Sequence, residues 1–405
     1  MTSRAAVGRH LASYAAASVA ISLPWPLLLV LAWDRYGDGP YGPLVIGLTG
    51  AARMLPYVLL SWLVGSLGDR VRRERLLAVS LSLRVLFLTG LAVALAAGQL
   101  GVAVIAAALA VAAGTPAYPC VVAAMPRLAG PGSRRATEAL VTIEVGAWVV
   151  GPAIGGLMLF PATRPAIPAV AVVLTVAALF LARGVALPGP ASADRRTREA
   201  VRGMLRTVRR TPVVVGALAA AGLLNFVESA AAVALLPLTR EVWHQGDAGF
   251  GVATAWLGFG ALAAPLLWWV HGSPRGRRSW GLVVLGLAVV FAALSPAPMS
   301  VLPVLGLAGV MSVVVECAVT ESIQDSVADE HRAGVLGLGD AVMVSCAMVG
   351  TLVAPLLAAA LGPRLGLVVL GGACVVVVLV GVVRTRRRSY APELEVVETR
   401  PMAWL

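Results

Sequence analysis

Charge is what this chain of 405 residues lacks most. Asp, Glu, Lys and Arg make up 13% of it, where an ordinary soluble domain carries about a quarter, so a water-soluble globular protein is excluded. Lysine is absent: all 32 basic residues are arginine. Histidine is scarce, and His10, His244, His271 and His331 fall at the ends of the chain or of its apolar runs. That leaves no histidine cluster or nucleophile–base pair of the kind an enzyme needs, and no cofactor or metal is expected. Cys120, Cys317, Cys346 and Cys374 each lie inside an apolar stretch without metal-ligand spacing. They read as apolar wall residues, not as a disulfide framework or zinc site. No G-x-x-x-x-G-K-[ST] signature occurs, so an ATP-driven process would require another chain.

What is abundant is apolar surface. Hydrophobic residues make up 59% of the chain and the mean hydropathy is +0.88, the composition of an integral membrane protein. Twelve stretches approach the roughly 20 apolar residues that a bilayer requires. They lie near 11–33, 42–67, 75–97, 99–124, 137–160, 166–187, 212–237, 250–271, 279–297, 299–323, 334–361 and 363–383. Tight turns are expected near Ala97–Leu100 and Ser295–Ser300. The first run is longer than a signal-peptide core and no cleavage site is evident, so it stays as a span. It contains ISLPWPLLLVLAW, with Pro24 and Pro26 around Trp25. An interior proline removes a hydrogen bond and clashes with the preceding turn, and a membrane tolerates it where neighbours satisfy the freed carbonyls. The pair is expected to bend the first span so that Pro24, Trp25 and Pro26 border a central cavity.

Arginine placement gives an orientation. With both termini cytoplasmic, the inner side collects the clusters around Arg9, Arg70 to Arg75, Arg134, the segment Arg183 to Arg210, Arg275 to Arg278 and Arg384 to Arg388. The outer loops keep only Arg35, Arg164, Arg240 and Arg364, a strong positive-inside bias. It accounts for the net charge of +12 by a basic rim facing anionic lipid, with no nucleic-acid partner. The polar interruption from Pro188 to Pro212 divides the chain into an N-terminal six-helix half (1–187), a basic linker (188–211), a C-terminal six-helix half (212–385) and a tail (386–405). Residues 195–210 form a candidate basic amphipathic helix on the inner leaflet. VVGPAIGGLML with Pro152 and TLVAPLLAAALG with Pro355 stand half the chain apart. SLGDRVRRERLL and WVHGSPRGRRSW stand at nearly the same offset, which supports duplication of a six-span unit. Parallel six-span halves with a site between them near the midplane are a transporter architecture.

Two motifs carry a family resemblance. Gly65-Ser-Leu-Gly-Asp-Arg-Val-Arg-Arg resembles the loop 2–3 signature of the major facilitator superfamily. Gly151-Pro-Ala-Ile-Gly-Gly resembles the G-P-x-x-G-G helix of its drug-exporting branches. The order GTPAYPCVVAAMPRL, SRRATEAL, VVGPAIGGL is similar to its twelve-span macrolide-efflux-like drug:proton antiporter group. The resemblance implies the all-α major facilitator fold, with pseudo-two-fold symmetry and alternating access. On the physics of the motifs alone, Gly65, Gly68, Asp69, Arg70 and Arg73 form a candidate cytoplasmic gate, Asp69 accepting from a helix N-terminus or from Arg70 and Arg73. Gly151, Pro152, Gly155 and Gly156 form a helix-packing motif in which the proline kinks and the glycines admit another backbone.

Ionisable residues inside the spans are the sharpest candidates, because a charge at the bilayer centre costs at least ~2.5–3.5 kcal/mol. Glu144, Glu228 and Glu316 sit well inside apolar runs. A carboxyl that moves between a buried setting and a cation changes its proton affinity, so these three are candidates for proton coupling, with Arg53 as counter-charge. Trp25, Trp148 and Trp256 are candidates to stack on a lipophilic molecule or a cation, and Asn225 and Ser229 to hydrogen-bond to Glu228 or to a substrate. Arg84, Glu321, Asp325 and Asp340 lie nearer the inner span ends and are expected in structural or gating ion pairs. The reading is a monomeric, multi-pass secondary transporter of the cytoplasmic membrane, exporting drug-like or natural-product compounds against protons. The alternatives are a carrier of a specific polar metabolite and a non-transporting membrane sensor of the same fold.

Overall fold

With no water in hydrocarbon to satisfy peptide groups, an apolar chain must bond them within each segment. The computed structural model describes residues 3–60, 72–129, 133–183, 206, 208–264, 272–296, 298–327 and 329–398, and no strand occurs among them. The first run is helix α1 (Ser3–Ser22) and helix α2 (Trp25–Tyr36), broken at Leu23 and Pro24. α3 (Gly42–Ala52) ends in a turn at Arg53 and Met54, and residues 55–60 are helical again. Then come α4 (Arg73–Ala96), α5 (Leu100–Gly114), α6 (Ala117–Ala129), α7 (Ser133–Leu157) and α8 (Ile167–Ala182). α9 (Pro212–Pro237) runs into a π-helical turn, Leu238–Val242. α10 (Gly246–Ala263), α11 (Pro274–Leu294), α12 (Pro298–Ser326), α13 (Asp329–Leu361) and α14 (Pro363–Glu398) complete the order.

Each expected apolar stretch is largely helical where it is described, with short breaks inside several, and eight helices among the described residues are long and apolar enough to cross a membrane. The breaks have local causes. At Ala97 the chain closes a Schellman turn, Gln99 N–H donating to Ala94 O at 2.8 Å with Gly98 at φ +68°. Proline opens α9, α11, α12 and α14, where its missing N–H is no loss and its φ is already helical. At α11, Ser273 caps the helix by accepting from Gly276 N–H at 3.2 Å. The fourth stretch differs from expectation, since Thr115 and Pro116 interrupt it between α5 and α6. The last helix continues past 383 to Glu398. Gly65, Gly68, Asp69 and Arg70 of the expected gate, and most of the expected linker helix, lie outside the described residues. Arg73 is buried at the start of α4.

Alanine and glycine decide which faces meet. On α5, Ala103, Ala106, Ala107 and Ala110 share one buried stripe, while Val102, Ile105 and Leu109 are exposed on the other side. α1 to α8 pack among themselves, as do α9 to α14. The two sets meet chiefly where α7 crosses α10 and α3 crosses α13. The first crossing passes through Gly156 and Gly251, with Gly258 against Ala153 and Val149. In the second, Gly47 and Gly50 lie against Thr351 and Leu352. Gly146, farther back along α7, has nothing within 4 Å of where a Cβ would stand. The sets therefore touch toward the end remote from the termini.

The break in the first run is fitted to the glycine motif of α7. A Cβ at Gly151 would meet Ser22 and lie 3.0 Å from Val19 O, and one at Gly155 would strike the Leu23 carbonyl oxygen. Pro24, Trp25 and Pro26 are buried, Trp25 within the core that joins these helices. The expectation that they border a cavity is thus replaced by close packing of the bend. Gly155→Val is expected to lower the thermal unfolding temperature in detergent, because overpacking against backbone costs about 1–3 kcal/mol. An unchanged transition would contradict the fit.

Candidate functional site

A polar stripe runs down α1: Tyr14, Ser18 and Ser22, four residues apart and so on one face. Opposite, α7 presents Glu144, Ala147 and Trp148 on the face that farther along carries Gly151 and Gly155. Between them is a pocket of about 310 Å³, counting the space at its mouth. It is closed by Tyr57 from the segment after α3, Arg84 from α4, and Gly114, Thr115 and Tyr118 around the break between α5 and α6. That break, unforeseen in the sequence, turns the chain where Arg84 needs a partner: its Nη2 donates to Gly114 O at 2.9 Å.

Glu144 is half-buried and accepts a hydrogen bond from the Tyr14 hydroxyl. Tyr14 and Tyr118 rings lie 6.1 Å apart. Arg53 does not pair with an acid among the described residues; its guanidinium lies over the Trp148 ring at 4.3 Å. It donates to Ser22 Oγ at 3.2 Å and reaches Trp148 O at 3.5 Å. That carbonyl is the one Pro152, four residues on, leaves without its helical partner. Arg53 therefore helps to satisfy a proline-broken helix, and Trp148 already carries a cation on its face. Tyr57 packs on the same indole at 5.3 Å. Arg84, expected in an ion pair near a span end, is instead 2% exposed in this pocket, within electrostatic reach of Glu144.

The other acids lie across the boundary between the helix sets. Glu228 on α9 and Glu316 on α12 are half-buried and within electrostatic reach of each other, and the nearby Ser312 hydroxyl donates to Ala308 O one turn back at 3.1 Å. Asp340 on α13 acts on Glu316 and is itself acted on by Glu144. The order Glu228, Glu316, Asp340, Glu144 thus runs from one set to the other. Sequence reasoning assigned Asp340 to a gating pair; its place in this order became visible only with the helix packing. Asn225 turns away, its amide donating to Ala221 O one turn back at 3.1 Å, and Ser229 is half-buried beside Glu228. Trp256 lies outside the pocket lining, 39% exposed on α10 with its ring facing Gly306 of α12. Glu321 forms the expected structural pair, with Arg277.

At the end remote from the termini, four charges tie the sets together. Arg164 donates to Asp247 at 2.9 Å and to Asp34 at 3.1 Å. Arg240 reaches Asp34 at 2.6 Å and Asp247 through Nε at 2.7 Å. The sequence showed the two arginines only as sparse outer-loop charges, since aspartates in loops give no periodic signal.

Comparison with known proteins decides the family. The family description Major Facilitator Superfamily matches residues 7–345. The chain belongs to the major facilitator superfamily. No curated protein matches it significantly. Among solved structures it is similar to the human organic anion transporter MFSD10 (TETRAN), 16% identical with a TM-score of 0.68 over 94% of this chain and 99% of that one. A bacterial homologue of the human lysosomal transporter Spinster, inward-facing and unoccupied, is 13% identical with a TM-score of 0.67 over 93% and 94%. A peptide transporter of the POT type is 14% identical with a TM-score of 0.69 over 94% of each chain. At these identities the likeness is one of fold. Membership of the major facilitator superfamily makes the chain a multi-pass membrane transporter and not an enzyme.

Proposed function

We propose that this superfamily member is a proton-coupled secondary transporter working by alternating access, and that it exports lipophilic drug-like or natural-product compounds. The observation that carries the coupling is the run of carboxyls Glu228, Glu316, Asp340 and Glu144 across the boundary between the helix sets. Of these, only Asp340 and Glu144 stand on different sets, so when the sets move it is the distance between those two that changes, and with it their proton affinity. We read the helices as twelve spans in two six-helix halves, 1–187 and 212–385, with both termini cytoplasmic. Pro152 and Pro355 support the pairing, each lying in a helix that crosses to the other set, α7 to α10 and α13 to α3. On the orientation given by the arginines, the conformation is closed outside by the Arg164, Arg240, Asp34 and Asp247 cluster and by the glycine crossing. The efflux direction rests on the likeness of GPAIGG to the drug-exporting branches of the family.

The test is reconstitution in liposomes with an internal pH dye, adding lipophilic compounds against an imposed proton gradient. Solute-triggered proton movement is expected in the wild type, and Glu228→Gln or Glu316→Gln is expected to lose it at least tenfold with solute binding retained. Solute flux of equal size in all three acid-to-amide variants, Glu144→Gln included, would remove proton coupling from the reading.

A further inference from the structure

We propose that the pocket between α1, α4 and α7 binds the carboxylate head of an organic acid, with Arg84 as the group that receives it. The proposal deepens the transport reading by naming a substrate class, and it rests on that reading. Arg84 is 2% exposed. One of its nitrogens is used by Gly114 O, and Nε and Nη1 have no hydrogen-bond partner among the described residues. An ionised, buried donor without a partner is the most costly arrangement a protein interior offers. The obvious internal partner is not supplied: Glu144 lines the same pocket but makes no ion pair with Arg84 among the described residues, and it is engaged by Tyr14. The fold also makes room for the guanidinium, because a Cβ at Gly114 would overlap it.

Charge and aromatic geometry point the same way. Arg84 lines the pocket together with Glu144, and Arg53 adds a second guanidinium over the Trp148 ring. A cationic ligand would find the face of Trp148 already covered by Arg53. The free space among the side chains in this conformation is about the size of a water molecule, so the site must widen to admit a carboxylate and would take a head group, not a whole drug-sized molecule. Tyr57, Tyr118 and Trp148 offer ring surface beside it for an aromatic or apolar body.

The test uses the full chain in nanodiscs and radiolabelled 2-naphthoate, read by equilibrium binding, with 2-naphthamide and 2-naphthylmethylamine as competitors of matched shape. Saturable naphthoate binding is expected, with at least tenfold weaker competition by the amide and the amine. Arg84→Gln should weaken binding at least tenfold and Arg84→Lys less. The competition series needs no variant, so it decides even if an Arg84 replacement fails to fold. Displacement by the amine as strong as by the acid, or no naphthoate binding to wild-type protein, overturns the assignment. In the second case, proton flux driven by neutral or cationic compounds in liposomes leaves transport standing. Naphthoate binding without flux for any compound would support the site and sink transport instead.

Discussion

Asp247→Asn is expected to raise the labelling rate of a cysteine placed at Ala153 about tenfold, in a background lacking Cys120, Cys317, Cys346 and Cys374. Ala153 is 4% exposed and faces Gly258 across the α7–α10 crossing, so a maleimide reaches it only when the two helix sets part at that end. Asp247 accepts from both Arg164 and Arg240 at 19% exposure. Hydrogen bonds to charged groups contribute about 1.5–3 kcal/mol when shielded and much less in open solvent. A loss of about 1.4 kcal/mol from the closed state corresponds to the tenfold change. Asp34 is 39% exposed, and Asp34→Asn should therefore act in the same direction but more weakly. Raising salt to about 1 M, which shortens the screening length from about 8 to about 3 Å, should move wild-type protein part of the way. Labelling unchanged by Asp247→Asn would mean that the four charges decorate the closure without holding it.

The helices were legible because hydrocarbon leaves a chain so few options. Twelve apolar runs, their turn residues and the arginine bias follow from one-dimensional patterns. Helix edges came out close where a proline opens them, as at Pro212, Pro298 and Pro363. The site was only half legible. Glu144 and Trp148 line the pocket, but Arg53 serves a proline-broken carbonyl, and Pro24, Trp25 and Pro26 pack a bend. Arg84 was misplaced because the break at Thr115 and Pro116, which brings Gly114 and Tyr118 to it, has no signature stronger than a proline in an apolar run. The stripe Tyr14, Ser18, Ser22 was there to be found at a four-residue period. Such a period does not by itself mark a site, because serine and tyrosine in a membrane helix bond readily to their own backbone or to lipid headgroups.

Gly251→Val is expected to abolish solute flux, by a hundredfold or more, while leaving the unfolding temperature close to wild type. A Cβ at Gly251 would strike the carbonyl oxygen of Gly156, and one at Gly156 would lie 2.8 Å from Gly251 O. Backbone meets backbone on both sides, so no side chain can swing away. Gly155 has the same kind of neighbour in Leu23, but the bend between α1 and α2 belongs to the same helix set as α7, and strain there can be relieved only by loosening that set. Gly156 and Gly251 belong to different sets, which in the proposed cycle separate as bodies. The strain of Gly251→Val vanishes when they stay apart, so its cost falls on the closed conformation and not on folding. The labelling of a cysteine at Ala153 should rise in this variant as in Asp247→Asn. Gly258→Ala should be milder, since its neighbours are the side chains of Ala153 and Val149, which can yield a few tenths of an ångström. Gly251→Val protein that transports at the wild-type rate would show that the α7–α10 crossing never has to re-form during turnover, and the alternating-access reading would fall with it.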